Sequence, residues 1–248
     1  MKKSPFFIVG SVRSGTTFLR NVLRKHPNLT CPEETHFFRW SDPFGTPTSF
    51  SQLLNNVTLK KHRKIDNVTE QQFKRILNKS SSRADLQVKY MNLYMKQNQL
   101  IGKRWFDKTP QNAYGAGMIA TQFPRAKFIH IVRNPVDVIS SLRLGKVVKI
   151  ESLVAACNLW NEAAQQIYTL KKAYPRRVYE VKYEDFTSDF LPELEKILVF
   201  IDEDFQIEYF RDITASTKRH RHHYLFNENE LLTINSLCKH WAKHYGYF

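Results

Sequence analysis

The sequence predicts an α/β protein: a parallel sheet flanked by helices on both faces, with a mostly helical insertion. Three observations carry this expectation. Residues 6–9 (Phe-Phe-Ile-Val) and 128–132 (Phe-Ile-His-Ile-Val) are apolar runs without polar alternation, as strands buried on both faces require. Each run leads into a segment with helical spacing. Strand-like and helical segments then alternate along the chain, the order that produces a parallel sheet.

The elements follow in order. After residues 6–9 comes a small-residue loop from Gly10 to Gly15, and from Thr16 the apolar positions Phe18, Leu19, Val22 and Leu23 form a helical stripe. His26-Pro27-Asn28 stops that helix, because proline disfavours helical geometry in the residue before it. Residues 103–107 and 177–183 read as further strands. Asn134-Pro135 starts a helix after the 128–132 run, with Asp137 suited to its positive end. The longest helical pattern is 152–173, carried by Leu153, Ala156, Leu159, Trp160, Ala163, Ile167 and Leu170, and two more helices are expected at 192–200 and 228–244. Residues 42–101 differ in composition: they are rich in Asn, Gln, Lys and Ser and contain the basic run Lys60-Lys61-His62-Arg63-Lys64. They read as an insertion covering the site within one domain spanning 1–248, with helical pieces near 70–77 and 84–95.

Bulk properties narrow the function classes. With 38 Lys and Arg against 23 Asp and Glu, the formal charge is +15, which favours polyanionic partners. Cys31, Cys157 and Cys238 are isolated and odd in number, so neither a zinc site nor a disulfide framework is expected. The apolar run near the N-terminus is too short for a signal peptide, and no stretch is long enough for a membrane span. A cytoplasmic protein is the expectation.

The chemistry concentrates in the first loop. A strand feeding a glycine-bounded loop and then a helix lets successive backbone N–H groups converge on an anion, with the helix start adding partial positive charge. Gly10 to Gly15 has the spacing of a P-loop, but the lysine that reaches the β- and γ-phosphates of a nucleoside triphosphate is replaced by Thr16. A basic group, Arg13, sits inside the loop instead.

The stretch from Ser11 through Arg13-Ser14-Gly15-Thr16-Thr17 to Arg20 resembles the 5′-phosphosulfate loop of sulfotransferases that use 3′-phosphoadenosine 5′-phosphosulfate (PAPS). Its continuation through His26-Pro27 to Glu33-Glu34-Thr35 is similar to the tyrosylprotein sulfotransferases, and Glu34-Thr35-His36-Phe37-Phe38 is similar to the heparan sulfate 3-O-sulfotransferases. In both groups the glutamate matching Glu34 implies a general base. A second signature, Val132-Arg133-Asn134-Pro135 through Ser140-Ser141, resembles the family's 3′-phosphate site, an arginine at a strand end and a serine eight residues later. A helix places residues two turns apart on one side, so Ser141 can return toward an anion held by Arg133.

Three further matches extend the resemblance. Lys182-Tyr183-Glu184-Asp185-Phe186 is similar to the strand end whose tyrosine lies near the adenine. Asp107-Lys108-Thr109-Pro110 resembles the glycan sulfotransferase segment whose lysine enters the active site. The basic run 218–223 sits where the family has a late loop closing over PAPS, with Arg219 and Arg221 as the contacts. Position 36 is His where the tyrosylprotein enzymes carry Arg, which favours a carbohydrate hydroxyl over peptide tyrosine as acceptor.

The resemblance therefore implies sulfuryl transfer from PAPS without a metal, yielding adenosine 3′,5′-bisphosphate (PAP). Glu34 is the expected base, with Arg13 and Lys108 on the phosphosulfate and Ser14, Gly15, Thr16 and Thr17 in its cradle. Arg133, Ser141 and Tyr183 would hold the remainder of the nucleotide. His36 is a second acid/base, an acceptor contact, or a structural histidine stacked by Phe37 and Phe38. The expected acceptor is an anionic glycan or a small molecule. Other classes are a P-loop kinase or NTPase, a nucleic-acid-binding protein suggested by charge alone, and a non-catalytic relative of the fold; no nucleic-acid-binding motif supports the second.

Overall fold

A computed structural model of the protein describes residues 3–39, 41–145, 148–213 and 225–248. Five strands, β1 (Phe6–Val9), β2 (Leu29–Thr30), β3 (Arg104–Lys108), β4 (Lys127–Val132) and β5 (Val178–Lys182), form one sheet in the order β2-β3-β1-β4-β5, every pair parallel. The central strand β1 is buried along its whole length. Its side chains alternate between two apolar clusters, as the two-residue period of a strand dictates. Phe7 and Val9 join Phe128 on one face; Phe6 and Ile8 join Ile129 and Ile131 on the other.

Helices cover both faces. The Phe6 face carries α1 (Thr16–Leu23), through Leu19, Val22 and Leu23. The Phe7 face carries four consecutive helices, α2 (Pro47–Asn55), α3 (Val57–Ile65), α4 (Glu70–Asn78) and α5 (Arg83–Gln97), which contribute Leu53, Leu59, Phe73, Leu77, Leu86 and Tyr90. The 42–101 segment thus shares its core with the sheet. Its polar composition hid α2 and α3, although Thr46 and Asn56 cap them with side-chain oxygens, a signal readable in the sequence.

The remaining helices are α6 (Ala116–Gln122), α7 (Pro135–Arg143), α8 (Leu153–Ala173), α9 (Tyr183–Ser188), α10 (Phe190–Phe200) and α11 (Glu228–His244). On the Phe7 face, α8 contributes Ala163, Ile167 and Leu170, while α10 covers the Phe6 face with Leu194, Ile197 and Leu198. A third cluster, with Trp160 at its centre, joins α7, α8 and α11, and includes Cys157 and Cys238. All three cysteines are free and buried.

Two boundaries differ from the sequence expectation in ways that matter. The strand expected at 103–107 is shifted by one residue, so Lys108 is the last position of β3 rather than part of a turn, and is only 1% exposed. Tyr183, expected in a strand, is the first residue of α9. Among the described residues no helix is long and apolar enough to cross a membrane. Residues 218–223, with Arg219 and Arg221, lie outside the described residues.

Candidate active site

In an open parallel sheet, ligands bind outside the carboxyl ends of the strands. Every described residue singled out from the sequence lies there: the Gly10–Gly15 loop after β1, Glu34 and His36 after β2, Lys108 at the end of β3, Arg133 after β4 and Tyr183 after β5. The topology thus collects into one crevice groups scattered over much of the chain.

The loop sits at the middle of the crevice. Arg13 and Gly15 take positive φ values of 71° and 98°, and Gly15 occupies the N-cap position of α1 without a side-chain cap. The first N–H groups of α1 therefore keep their capacity for an anion. Ser14 Oγ is buried and without a hydrogen-bond partner. Gly15 is also where the Tyr183 ring closes in. A Cβ there would lie 2.3 Å from Tyr183 Cδ2, on a backbone that L side chains rarely adopt. Gly15→Ala is accordingly expected to cost about 1–3 kcal/mol of stability, lowering the melting temperature by a few degrees, and to weaken nucleotide binding by pushing the tyrosine aside. Calorimetry with and without PAP checks both effects.

At one pole of the loop, Arg133, Tyr183, Arg13 and Ser141 converge. The Arg133 guanidinium carbon lies 4.6 Å from the centroid of the Tyr183 ring, over its face, and Nη1 reaches the Arg13 carbonyl oxygen at 3.4 Å. Arg133 Nε is buried and unpartnered, and the contact to Asp137 is long at 3.8 Å, so the guanidinium retains donors for an anion. Arg13 Nε donates to Ser141 Oγ at 2.8 Å. Trp160 Nε1 donates to the Arg133 carbonyl oxygen at 3.0 Å, and Glu184 accepts from the Asn134 N–H at 2.9 Å, fixing the turn between β4 and α7.

At the other pole, Lys108 Nζ donates to Glu34 Oε1 and, at 3.2 Å, to Thr17 Oγ1. Thr17 holds the position at which a P-loop NTPase presents its magnesium-binding hydroxyl. Here that hydroxyl faces an ammonium group instead. The second Glu34 oxygen lies 3.2 Å from His36 Nε2, close enough to pair but off the line of a hydrogen bond. Burial by itself would raise the Glu34 carboxyl; contact with His36 and the Lys108 charge override it and hold the pKa at about 2. His36 moves below the ordinary histidine range, first through burial and further through Arg39 and His62, against the opposing pull of Glu34.

The neighbouring glutamate is occupied elsewhere. Glu33 pairs with Arg20 at 2.7 Å and Arg24 at 3.4 Å, and its N–H donates to Asp66. Of the Glu33-Glu34 pair, only Glu34 faces Lys108. Beneath it, Asp107 is wholly buried and accepts from Thr35 Oγ1, Gln87 and Asn112, with burial raising its pKa to about 6.

Sequence reasoning missed His62 and Arg39. His62 sits within a run that reads as a solvated basic face, yet its Nδ1 donates to the Glu34 carbonyl oxygen at 2.9 Å and its ring stacks on His36, centroids 5.7 Å apart. The expected stacking of His36 by Phe37 and Phe38 does not occur. Those two side chains, each 2% exposed, point into the Phe7-face core.

A parallel sheet with an uncapped phosphate-type loop, flanked by an arginine–tyrosine pole and a lysine–glutamate pole, defines an α/β protein with a candidate anion-binding crevice. The chain belongs to the Sulfotransferase family, whose profile matches residues 5–206. It is similar to the sulfotransferase domain from the Synechococcus PCC 7002 olefin synthase, with a TM-score of 0.65 and 26% identity over 97% of this chain and 88% of that one. Its fold also matches mouse sulfotransferase SULT7A1 complexed with PAP, with a TM-score of 0.57 and 15% identity over 98% and 84% of the two chains. An uncharacterized protein of Aquifex aeolicus (strain VF5) is 27% identical over 233 residues, 88% of this chain. The chain spans 29% of the length of that curated relative.

Proposed function

We propose that the chain moves a sulfuryl group from PAPS to an acceptor hydroxyl, with a carbohydrate hydroxyl favoured. The observation that carries this reading is the pairing of two distinct anion poles across one loop. A donor bearing charge at both its 3′ and 5′ ends matches that spacing of functions, and the unpartnered Arg133 Nε and Ser14 Oγ are buried polar atoms of the kind a bound anion satisfies. PAP in the mouse relative's crystal agrees with such a ligand.

In this reading Arg133 and Ser141 hold the 3′-phosphate and Tyr183 lies against the base. Ser14, Thr16, Thr17 and the backbone N–H groups at the start of α1 receive the 5′-phosphosulfate. Ser141 can donate its O–H to the 3′-phosphate while still accepting from Arg13 Nε, so the reading requires the Arg13 guanidinium to leave Ser141 in order to reach the reacting end. The acceptor oxygen forms a bond to sulfur as the bond from sulfur to the 5′-phosphate oxygen breaks. Glu34 takes the acceptor's proton, and Lys108 and Arg13 offset charge growing on the departing phosphate. A carboxylate held at about 2 is a weak base, so the reading requires Lys108 to turn from Glu34 toward the phosphosulfate as the reaction proceeds. That handover makes Glu34 more basic at the step where a base is needed. Helix α3 reaches Glu34 through His62, and the 42–101 segment would form the acceptor side.

Incubation of the purified chain with sulfur-labelled PAPS and separate polysaccharide, tyrosine-peptide and small-hydroxyl acceptors tests the proposal. Label is expected in polysaccharide. Label in peptide alone would replace the acceptor assignment; turnover of magnesium–ATP with no PAPS binding would overturn the reading as a whole.

A further inference from the structure

Arg39 lies beyond the motifs that carry the family resemblance, yet it contacts His36, the histidine beside the Glu34 carboxylate. Its Nη1 is 3.2 Å from His36 Nδ1, and the same nitrogen donates to Gln111 Oε1 at 2.8 Å, which anchors the guanidinium. A guanidinium has only donors. His36 Nδ1 must therefore be the acceptor, and the single proton of the neutral ring sits on Nε2. Nε2 is buried, and the group it faces is Glu34 Oε2 at 3.2 Å.

From this geometry, and resting on the reading of Glu34 as the base, we infer that Arg39 is a positioning residue that locks His36 in the Nε2–H tautomer. A neutral Nε2–H is thereby kept beside Glu34 Oε2, and His36 is removed from the proton chemistry. A second proton on the ring would have to sit on Nδ1, directly against the N–H of the guanidinium. Of the roles the sequence leaves open for His36, this inference removes the acid/base one.

Three charged or titratable groups face the ring: Glu34 along the same segment, Arg39 from the following turn and His62 from α3. His62 is held by its own bond to the Glu34 carbonyl oxygen, an acceptor only, so its Nδ1 carries a proton and its ring is fixed independently of Arg39. The backbone at His36 has φ 57°, an uncommon value for a residue with a side chain, and such strain persists where surrounding structure enforces it. Thr109 Oγ1 accepts from the N–H groups of Thr35 and His36 at 3.0 and 3.4 Å and holds that bend.

Nitrogen-15 NMR of histidine-labelled protein tests the inference without reference to activity, with the His36 and His62 signals assigned from His36→Asn and His62→Asn variants. In the wild type, His36 is expected to show an imine-type Nδ1 and a pyrrole-type Nε2, unchanged between about pH 5.5 and pH 8. In Arg39→Met the ring is expected to lose its fixed tautomer and to take up a proton on the freed Nδ1 at a higher pH than in the wild type, burial and His62 still opposing that proton. Arg39→Lys, again donor-only, should restore the locked tautomer.

The pH–rate profile gives a second readout. Turnover of Arg39→Met should show an added acid-side loss as the pH is lowered from about 8 to about 5.5, as the freed Nδ1 gains its proton. The wild-type and Arg39→Lys enzymes should lack that inflection, and any inflection common to all three belongs to another group. A wild-type His36 that titrates in this range, a proton found on Nδ1, or an Arg39→Met ring that stays locked would each overturn the inference. The locked tautomer in a protein that transfers no sulfuryl group would leave the assignment to Arg39 standing and remove the reading of Glu34.

Discussion

Replacing Glu34 by Gln is expected to lower turnover with PAPS by about 10²- to 10⁴-fold, the usual range for loss of a positioned proton acceptor, while PAP affinity stays within a few-fold of wild type. The separation follows from position. Glu34 stands at the lysine pole, across the loop from Arg133 and Tyr183, and the donor's adenosine end does not depend on it in the proposed pose. The amide oxygen of Gln can still accept from Lys108, but it cannot take a proton. Lys108 is 1% exposed, so loss of the opposing charge also carries a stability cost. Rates are best compared below the variant's melting transition, with calorimetric PAP titration as the control. An unchanged rate removes Glu34 as base; a parallel collapse of PAP affinity assigns it to binding instead.

The stability cost has a sign in pH. The Glu34 carboxyl is held near 2 in the folded protein against an ordinary value of 4.5. Its pairing therefore stabilises the fold above about pH 4.5, and that contribution is lost as the pH falls toward about 2.

Arg133→Ala is expected to weaken PAP by roughly 10- to 150-fold, the loss of a charge-assisted hydrogen bond worth about 1.5–3 kcal/mol. Adenosine 5′-monophosphate, which lacks the 3′-phosphate, should change by no more than a few-fold. Part of that residual change comes through Tyr183, whose ring loses the guanidinium stacked on it at 4.6 Å. Titration of both nucleotides against both proteins reads the difference directly. Equal losses would mean that Arg133 supports the turn after β4 and does not recognise the 3′ group.

The elements carried by unbroken apolar runs or sustained helical periodicity matched the structure closely: β1 at Phe6–Val9, α11 at Glu228–His244 and α8 at Leu153–Ala173. The order of strand, glycine-bounded loop and helix at residues 6–23 was likewise legible, because its signals are contiguous in the chain. Pro47–Asn55 and Val57–Ile65 were not, because amphipathic helices with few apolar positions resemble solvated polar sequence until the core they cover is known. Lys108 lay one residue beyond the expected 103–107 strand until the register of β3 made it the buried end of that strand.

By itself the sequence determined the layered α/β class and the strand–loop–helix that holds Gly10 to Gly15, since both rest on periodicity or on residues adjacent in the chain. Only the tertiary structure decided that Lys108 and Thr17 meet at Glu34, that Arg13 turns to Ser141, and that His62 and Arg39 reach His36. The physical reason is that a parallel sheet gathers the carboxyl ends of strands distant in sequence. Hydrogen-bond partners across that crevice are set by strand order and register, which leave no trace in local spacing.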